Sequence, residues 1–133
     1  MATVDTNVVV RLLVADDAIQ SNQVRHLILR AERRSERLYV PLAVTLELEW
    51  VLRSHFEFAK DRVVVAFNSL LGTWDVEFQE KPTVEEALAT YERHRIDFAE
   101  CLHLDGAAAA ARLPLLTFDR RAARVPGVAS KGE

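Results

Sequence analysis

Apolar and polar positions alternate along this chain in blocks that read as short strands followed by helices. Residues 2–4 form a brief apolar strand that ends at Asp5. Residues 7–15, NVVVRLLVA, and 18–34 follow as helices; in the second, Ile19, Val24, Leu27, Ile28 and Ala31 recur at roughly helical spacing. Leu38-Tyr39-Val40 before Pro41 reads as a second strand, and Val76-Glu77-Phe78 as a third. Between them the pattern predicts helices over 42–56 and 61–72, the latter closed by Gly72. Thr83 and Glu86 have the spacing of a capping box for a helix over 84–95, and a further helix is expected over 98–112. Leu115-Leu116-Thr117 after Pro114 is a fourth strand, 120–124 a short helix, and Val128 the start of a fifth strand. Strands that alternate with helices predict an α/β fold with a central, mainly parallel sheet and helices on both faces.

With 133 residues, the chain suits one domain spanning 1–133 with a full core. Its 4 Gly and 4 Pro argue against a loop-rich protein, and half its residues are hydrophobic. One cysteine, Cys101, excludes an internal disulfide framework. No signal-peptide pattern and no membrane-length apolar run are visible, so a cytoplasmic protein is expected. The net charge of −3 does not suggest a protein that coats nucleic acid. The arginines are clustered, however: Arg30, Arg33, Arg34 and Arg37 in one group, and Arg120, Arg121 and Arg124 in another.

The chemistry lies in four acids: Asp5, Glu47, Glu100 and Asp119. In open α/β sheets, ligands bind beyond the carboxyl ends of the strands. Asp5 and Asp119 end two of the apolar runs. Each also suits a helix N-cap, a role compatible with a second one because a carboxylate has two oxygens. On a helical wheel, Val44, Leu48, Val51 and Leu52 form an apolar stripe that Glu47 borders, whereas Glu49 points away and pairs with Arg53 four residues on. Glu100 shares a face with Leu104, Ala107 and Ala111; it also fits an acidic capping box with Asp97. Converging carboxylates repel one another, and a hard divalent cation relieves that repulsion. The expected cofactor is therefore Mg²⁺ or Mn²⁺, used to hydrolyse a phosphate ester. His26, His55, His94 and His103 show no zinc spacing, Cys101 reads as a packed thiol, and Gly106–Ala111 reads as a small-residue face against the sheet. Leu46 and Trp50 fall opposite the core stripe, and the 61–72 helix carries Val64, Val65, Phe67, Leu70 and Leu71. Together the two helices suggest an apolar groove for a protein partner.

The stretches VDTNVVVRLL, VPLAVTLELEWVLR, DFAECLHLDGAAA and PLLTFDRR resemble PIN-domain ribonucleases, specifically the VapC-type toxins of toxin–antitoxin systems. The resemblance covers nearly the whole chain and implies a single PIN-like domain. It implies that Asp5, Glu47, Glu100 and Asp119 are the catalytic, metal-binding acids, with Thr6, Asn7 and Thr117 as polar support. Asp97 matches a further acidic position. The family usually has Asp where this chain has Glu100, so either Asp97 or Glu100 is the third ligand. The resemblance further implies an endoribonuclease that cleaves tRNA or rRNA and arrests translation, held in check by a cognate antitoxin and expected as a homodimer. Arg11, Arg120 and Arg121 are candidates for contacts to RNA phosphates. A PIN nuclease of RNA processing without an antitoxin is the alternative; a short, overlapping reading frame upstream would favour the toxin. A Mg²⁺-binding receiver-type signalling domain fits poorly, because the third strand offers no Asp at its end.

Overall fold

The structure, a computed structural model, describes residues 2–14 and 18–130. The chain divides into two compact units, residues 1–81 and 82–133. In the first, β1 (Ala2–Thr3), α1 (Thr6–Leu13), α2 (Ala18–Arg33), β2 (Leu38–Val40), α3 (Leu42–Ser54), α4 (Lys60–Leu71) and β3 (Val76–Phe78) follow in order. The strands form a parallel sheet in the order β1-β2-β3, with Ala2 opposite Leu38 and Leu38 opposite Val76. Parallel neighbours need a crossover, and a helix pair supplies each one. Leu38, Val40, Val76 and Phe78 are buried while Tyr39 and Glu77 are half-buried, the alternation of a pleated strand. The core of this unit is completed by Val9, Leu48, Leu52, Val63 and Phe67, all without solvent contact.

The second unit holds α5 (Lys81–Arg93) from Pro82 onward, α6 (Phe98–Ala109), β4 (Leu115–Thr117), a 3-10 helix (Ala122–Arg124) and β5 (Val128–Ser130). The two strands pair in parallel, Leu115 with Val128. Val84, Leu88, Phe98 and Cys101 are buried, and Tyr91 meets Phe98 edge-on at 5.4 Å. Every strand pairing is parallel and the fold is α/β, as the sequence pattern predicts.

Several element ends differ from expectation, for physical reasons. The helices expected to reach Arg34, Phe56 and Arg112 stop earlier because Ser35, Glu57 and Ala111 adopt left-handed backbone, with φ of 51°, 56° and 56°. At the end of α6, Arg112 N–H donates to Ala107 O at 2.8 Å and Ala111 N–H to Ala108 O at 3.1 Å, a Schellman closure made without glycine. The first expected helix begins at Thr6 and ends at Leu13; its predicted last residue, Ala15, lies outside the described residues. Thr83 is not a cap: α5 already starts at Lys81, and Pro82 sits in the first turn, where its missing N–H costs nothing. Gly106–Ala111 is not a packing face, since burial on α6 ends at Leu104 and a Cβ at Gly106 would meet nothing within 4 Å. Nor does α4 offer a groove wall. Val64, Phe67, Leu70 and Leu71 are buried, leaving Val65, at 67% exposure, as its outward apolar side chain.

Candidate active site

In the first unit, Asp5 leaves β1 with extended backbone and is the N-cap of α1. Its Oδ1 accepts from the Val8 N–H at 3.0 Å, satisfying one of the orphan donors of the first turn. Oδ2 takes no protein donor among the described residues. Thr6, only 7% exposed, donates its hydroxyl to Glu47 Oε2 at 2.8 Å across 41 residues of chain. This bond ties the acid of α3 to the Asp5 turn, and α1 packs against α3 along the same contact. Asn7 is exposed at the next position. Arg11 is exposed on α1 and donates to Gln23 Oε1 at 3.0 Å.

The buried stripe of α3 is Thr45, Leu48, Glu49 and Leu52. That corrects the expectation for Glu49, which is 4% exposed and bound to Arg53 Nε at 2.8 Å, while Glu47 is exposed. The predicted i,i+4 pair is present, but it closes over the core. The phase was hidden because Thr45, a polar residue, occupies a position without solvent contact, its hydroxyl directed at Pro41 O at 3.4 Å. Leu46 and Trp50 do face outward, at 36% and 58% exposure.

In the second unit, Asp97 is the N-cap residue of α6 by position, yet its side chain makes no cap hydrogen bond. The capping box expected with Glu100 is therefore not formed. Asp97 is exposed and Glu100 half-buried in the first turn, three residues apart and thus on neighbouring positions of one helical face. Asp119 follows β4. Its N–H donates to Thr117 Oγ1 at 3.0 Å, and its Oδ1 accepts from Arg121 N–H at 2.8 Å and Ala122 N–H at 3.4 Å. Thr117 thus supports Asp119, and Asp119 in turn opens the 3-10 helix. Arg120 and Arg121 are exposed beside it. Within neither unit do three His, Cys, Asp or Glu side chains of the described residues gather closely enough to hold a metal.

Two features escaped the sequence reading. Asp105, half-buried on α6, accepts the Thr90 hydroxyl at 2.8 Å and locks α6 to α5. Its only signal was an Asp four residues beyond Cys101 on the buried side. The second is a pocket of about 430 Å³ lined by arginines of the 93–96 and 121–125 segments. The run Arg93-His94-Arg95 was its sequence signal.

The PIN domain family matches the chain over residues 2–128. The chain belongs to the PIN domain family. No individual curated protein matches it. PIN domains are in general metal-dependent nucleases that use divalent ions such as Mg²⁺, which gives this chain a nuclease fold. The match spans residues of both units, from β1 to the start of β5. Taken singly, Asp5, Glu47, Asp97, Glu100 and Asp119 carry the carboxylate oxygens that hard cations prefer, and Asp5 and Asp119 each leave one oxygen clear of the backbone. Among the described residues, no helix is long and apolar enough to cross a membrane.

Proposed function

We propose that this PIN domain is a divalent-metal-dependent endoribonuclease and the toxin of a type II toxin–antitoxin pair, acting in the cytoplasm on tRNA or rRNA to arrest translation. The observation that carries the active-site assignment is the Thr6–Glu47 hydrogen bond. It gives the acid of α3 a fixed partner beside Asp5, which a solvated surface glutamate would lack. Asp5, Glu47 and Asp119, with Glu100 or Asp97, would hold Mg²⁺ or Mn²⁺. When bound, the ion supplies activation of a water and charge stabilisation of the leaving 3′ oxygen.

The chain's own groups prepare that chemistry. Thr6 orients Glu47 by donating to one oxygen, so the other remains for the ligand. Asp5 and Asp119 are oriented by the N–H groups they cap. Thr117 holds the turn that presents Asp119, and Asn7 extends the polar surface next to Asp5. Products with 5′-phosphate and 3′-hydroxyl ends are expected. The outward Leu46 and Trp50 of α3 support a contact with an antitoxin or a second copy of the chain, since large apolar side chains in solvent favour association.

Cleavage of total cellular RNA in Mg²⁺, Mn²⁺ or EDTA tests the enzyme, with Asp5→Asn as control. Metal-dependent cleavage that Asp5→Asn removes is the expected result. Undiminished cleavage in EDTA, or in the variant at equal metal, would overturn the assignment.

A further inference from the structure

The pocket of the second unit has arginine walls and an apolar floor. Arg93 ends α5 and Arg95 lies in the turn after it, Arg121 and Arg124 come from the 3-10 segment, and His94 with the buried Ile96 and Val125 completes the lining. No acid lines it among the described residues. Arg95, Arg121 and Arg124 have no carboxylate partner among those residues, and Arg93 gives only its Nε, to Ala89 O at 3.3 Å. Four like charges drawn to one cleft repel each other, and an anion in the cleft would relieve that repulsion. Guanidinium groups in such numbers suit phosphate, which they bind with paired N–H donors.

We propose that this cleft binds internal phosphates of a single RNA strand next to the cleavage point, a reading that rests on the nuclease function proposed above. Two observations select a nucleotide chain. The volume of about 430 Å³ lies in the range of small-ligand sites, roughly 300–1,000 Å³, which suits a nucleotide better than a folded element of a protein. The cleft also adjoins a proposed metal acid: the Arg121 N–H is the donor to Asp119 Oδ1. A strand whose reacting phosphate lies at Asp119 therefore has its neighbouring phosphates within reach of Arg121 and the rest of the cleft. The apolar floor of Ile96 and Val125 fits a ribose or base edge, and the guanidinium planes can stack on bases. Arg93, Arg95 and Arg124 thereby join Arg121 as substrate-binding residues.

The test is binding without chemistry: anisotropy of a labelled, short single-stranded RNA with a 5′-hydroxyl end, in EDTA, across a salt series. Arg95→Gln/Arg124→Gln should bind about tenfold or more weakly, and its log K against log salt should be shallower by about 1.4, at about 0.7 per lost single-strand contact. Arg95→Lys/Arg124→Lys should recover the slope, because the charge returns. All four side chains are exposed, so the variants should keep the wild-type circular dichroism. If the Gln pair fails to fold, each single Gln variant carries the test with a slope change of about 0.7. An unchanged affinity and slope would overturn the proposal. So would displacement of RNA by a poly-glutamate peptide as effective as RNA at equal charge, which would mark a site for an acidic protein segment. A strong preference for a 5′-phosphate end would also overturn it, in favour of end binding. If the wild type cleaves no RNA while the arginine variants lose binding, the nuclease reading fails and the pocket stands; metal-dependent cleavage with unaltered variant affinity gives the reverse.

Discussion

Asp5 and Asp119 occupy matching junctions, each leaving a parallel strand and each lending Oδ1 to backbone N–H groups ahead of it. Their supports differ. Behind Asp5 stands the eight-residue α1, its buried Thr6 bound to Glu47, in a unit whose strands β2 and β3 carry buried side chains. Behind Asp119 stands a three-residue 3-10 helix, and β4 carries no buried residue: Leu116 and the following Phe118 are exposed. The same capping chemistry therefore opens an eight-residue helix in one unit and a three-residue 3-10 turn in the other, while neither strand before it, β1 or β4, carries a buried residue. One carboxylate can thus serve the backbone with one oxygen and stay open with the other, whatever the length of the helix it caps.

The sharpest test replaces each aspartate in two ways. Asp5→Asn and Asp119→Asn should each lower RNA cleavage by more than about a hundredfold, because loss of a direct ligand exceeds the 10–100-fold cost of losing an outer-shell partner. Asn is as good a cap as Asp, so urea denaturation of these variants should match the wild type. Asp5→Ala should then cost about 1 kcal/mol more than Asp5→Asn, through the lost cap. The Ala–Asn difference should be smaller at Asp119, where only a short 3-10 turn is capped. Equal differences would break the comparison.

Thr6→Val probes the support that Asp119 lacks. It should lower Mn²⁺ affinity, measured by calorimetry, about 10–100-fold, while Thr6→Ser retains it. The stability cost should be about 1 kcal/mol, the worth of one hydrogen bond whose acceptor stays solvated. Unchanged metal binding in the Val variant would show that the Thr6–Glu47 bond only joins two helices.

Glu49→Ala separates core from site on the same helix. Loss of the pair with the half-exposed Arg53 should cost about 1 kcal/mol in urea denaturation, a charged hydrogen bond discounted for solvent screening. RNA cleavage should be unchanged. A cleavage loss as large as that of Glu47→Ala would place Glu49 in the site. The smallest effect on stability belongs to Trp50→Ala, within about 0.5 kcal/mol because the ring is mostly in solvent. Its readout is association, followed by sedimentation of the chain alone and with the antitoxin proposed for it. Unaltered association in both would remove this face of α3 as an interface.

The strands at 38–40 and 76–78 were legible to the residue, because each is a short apolar–polar–apolar run and Pro41 closes the first. Helix ends were less so: the stops lie at Ser35, Glu57 and Ala111, residues with no special tendency toward left-handed backbone. The caps at Asp5 and Asp119 were readable from residue type and position, and so was the outward face of Leu46 and Trp50. The contrast between Glu47 and Glu49 was not, because a polar Thr45 in the core shifts the apparent stripe. The arginine cleft was half visible as Arg121 and Arg124. Its other half comes from a turn that only the folded chain of the second unit brings alongside.

Gly127 opens β5 with φ of +90°, and a Cβ there would stand 3.2 Å from Leu104 Cδ1 and 3.5 Å from Leu113 Cδ2. In a saturation library selected only for soluble expression, position 127 should tolerate almost nothing but glycine, whereas its neighbours in β5 should accept other apolar residues. Position 111 should behave in the opposite way. Its alanine already bears a left-handed φ, so glycine should be enriched above the native residue. Two small residues in the same unit would thus drift apart under selection, one held by its neighbours and the other released from backbone strain.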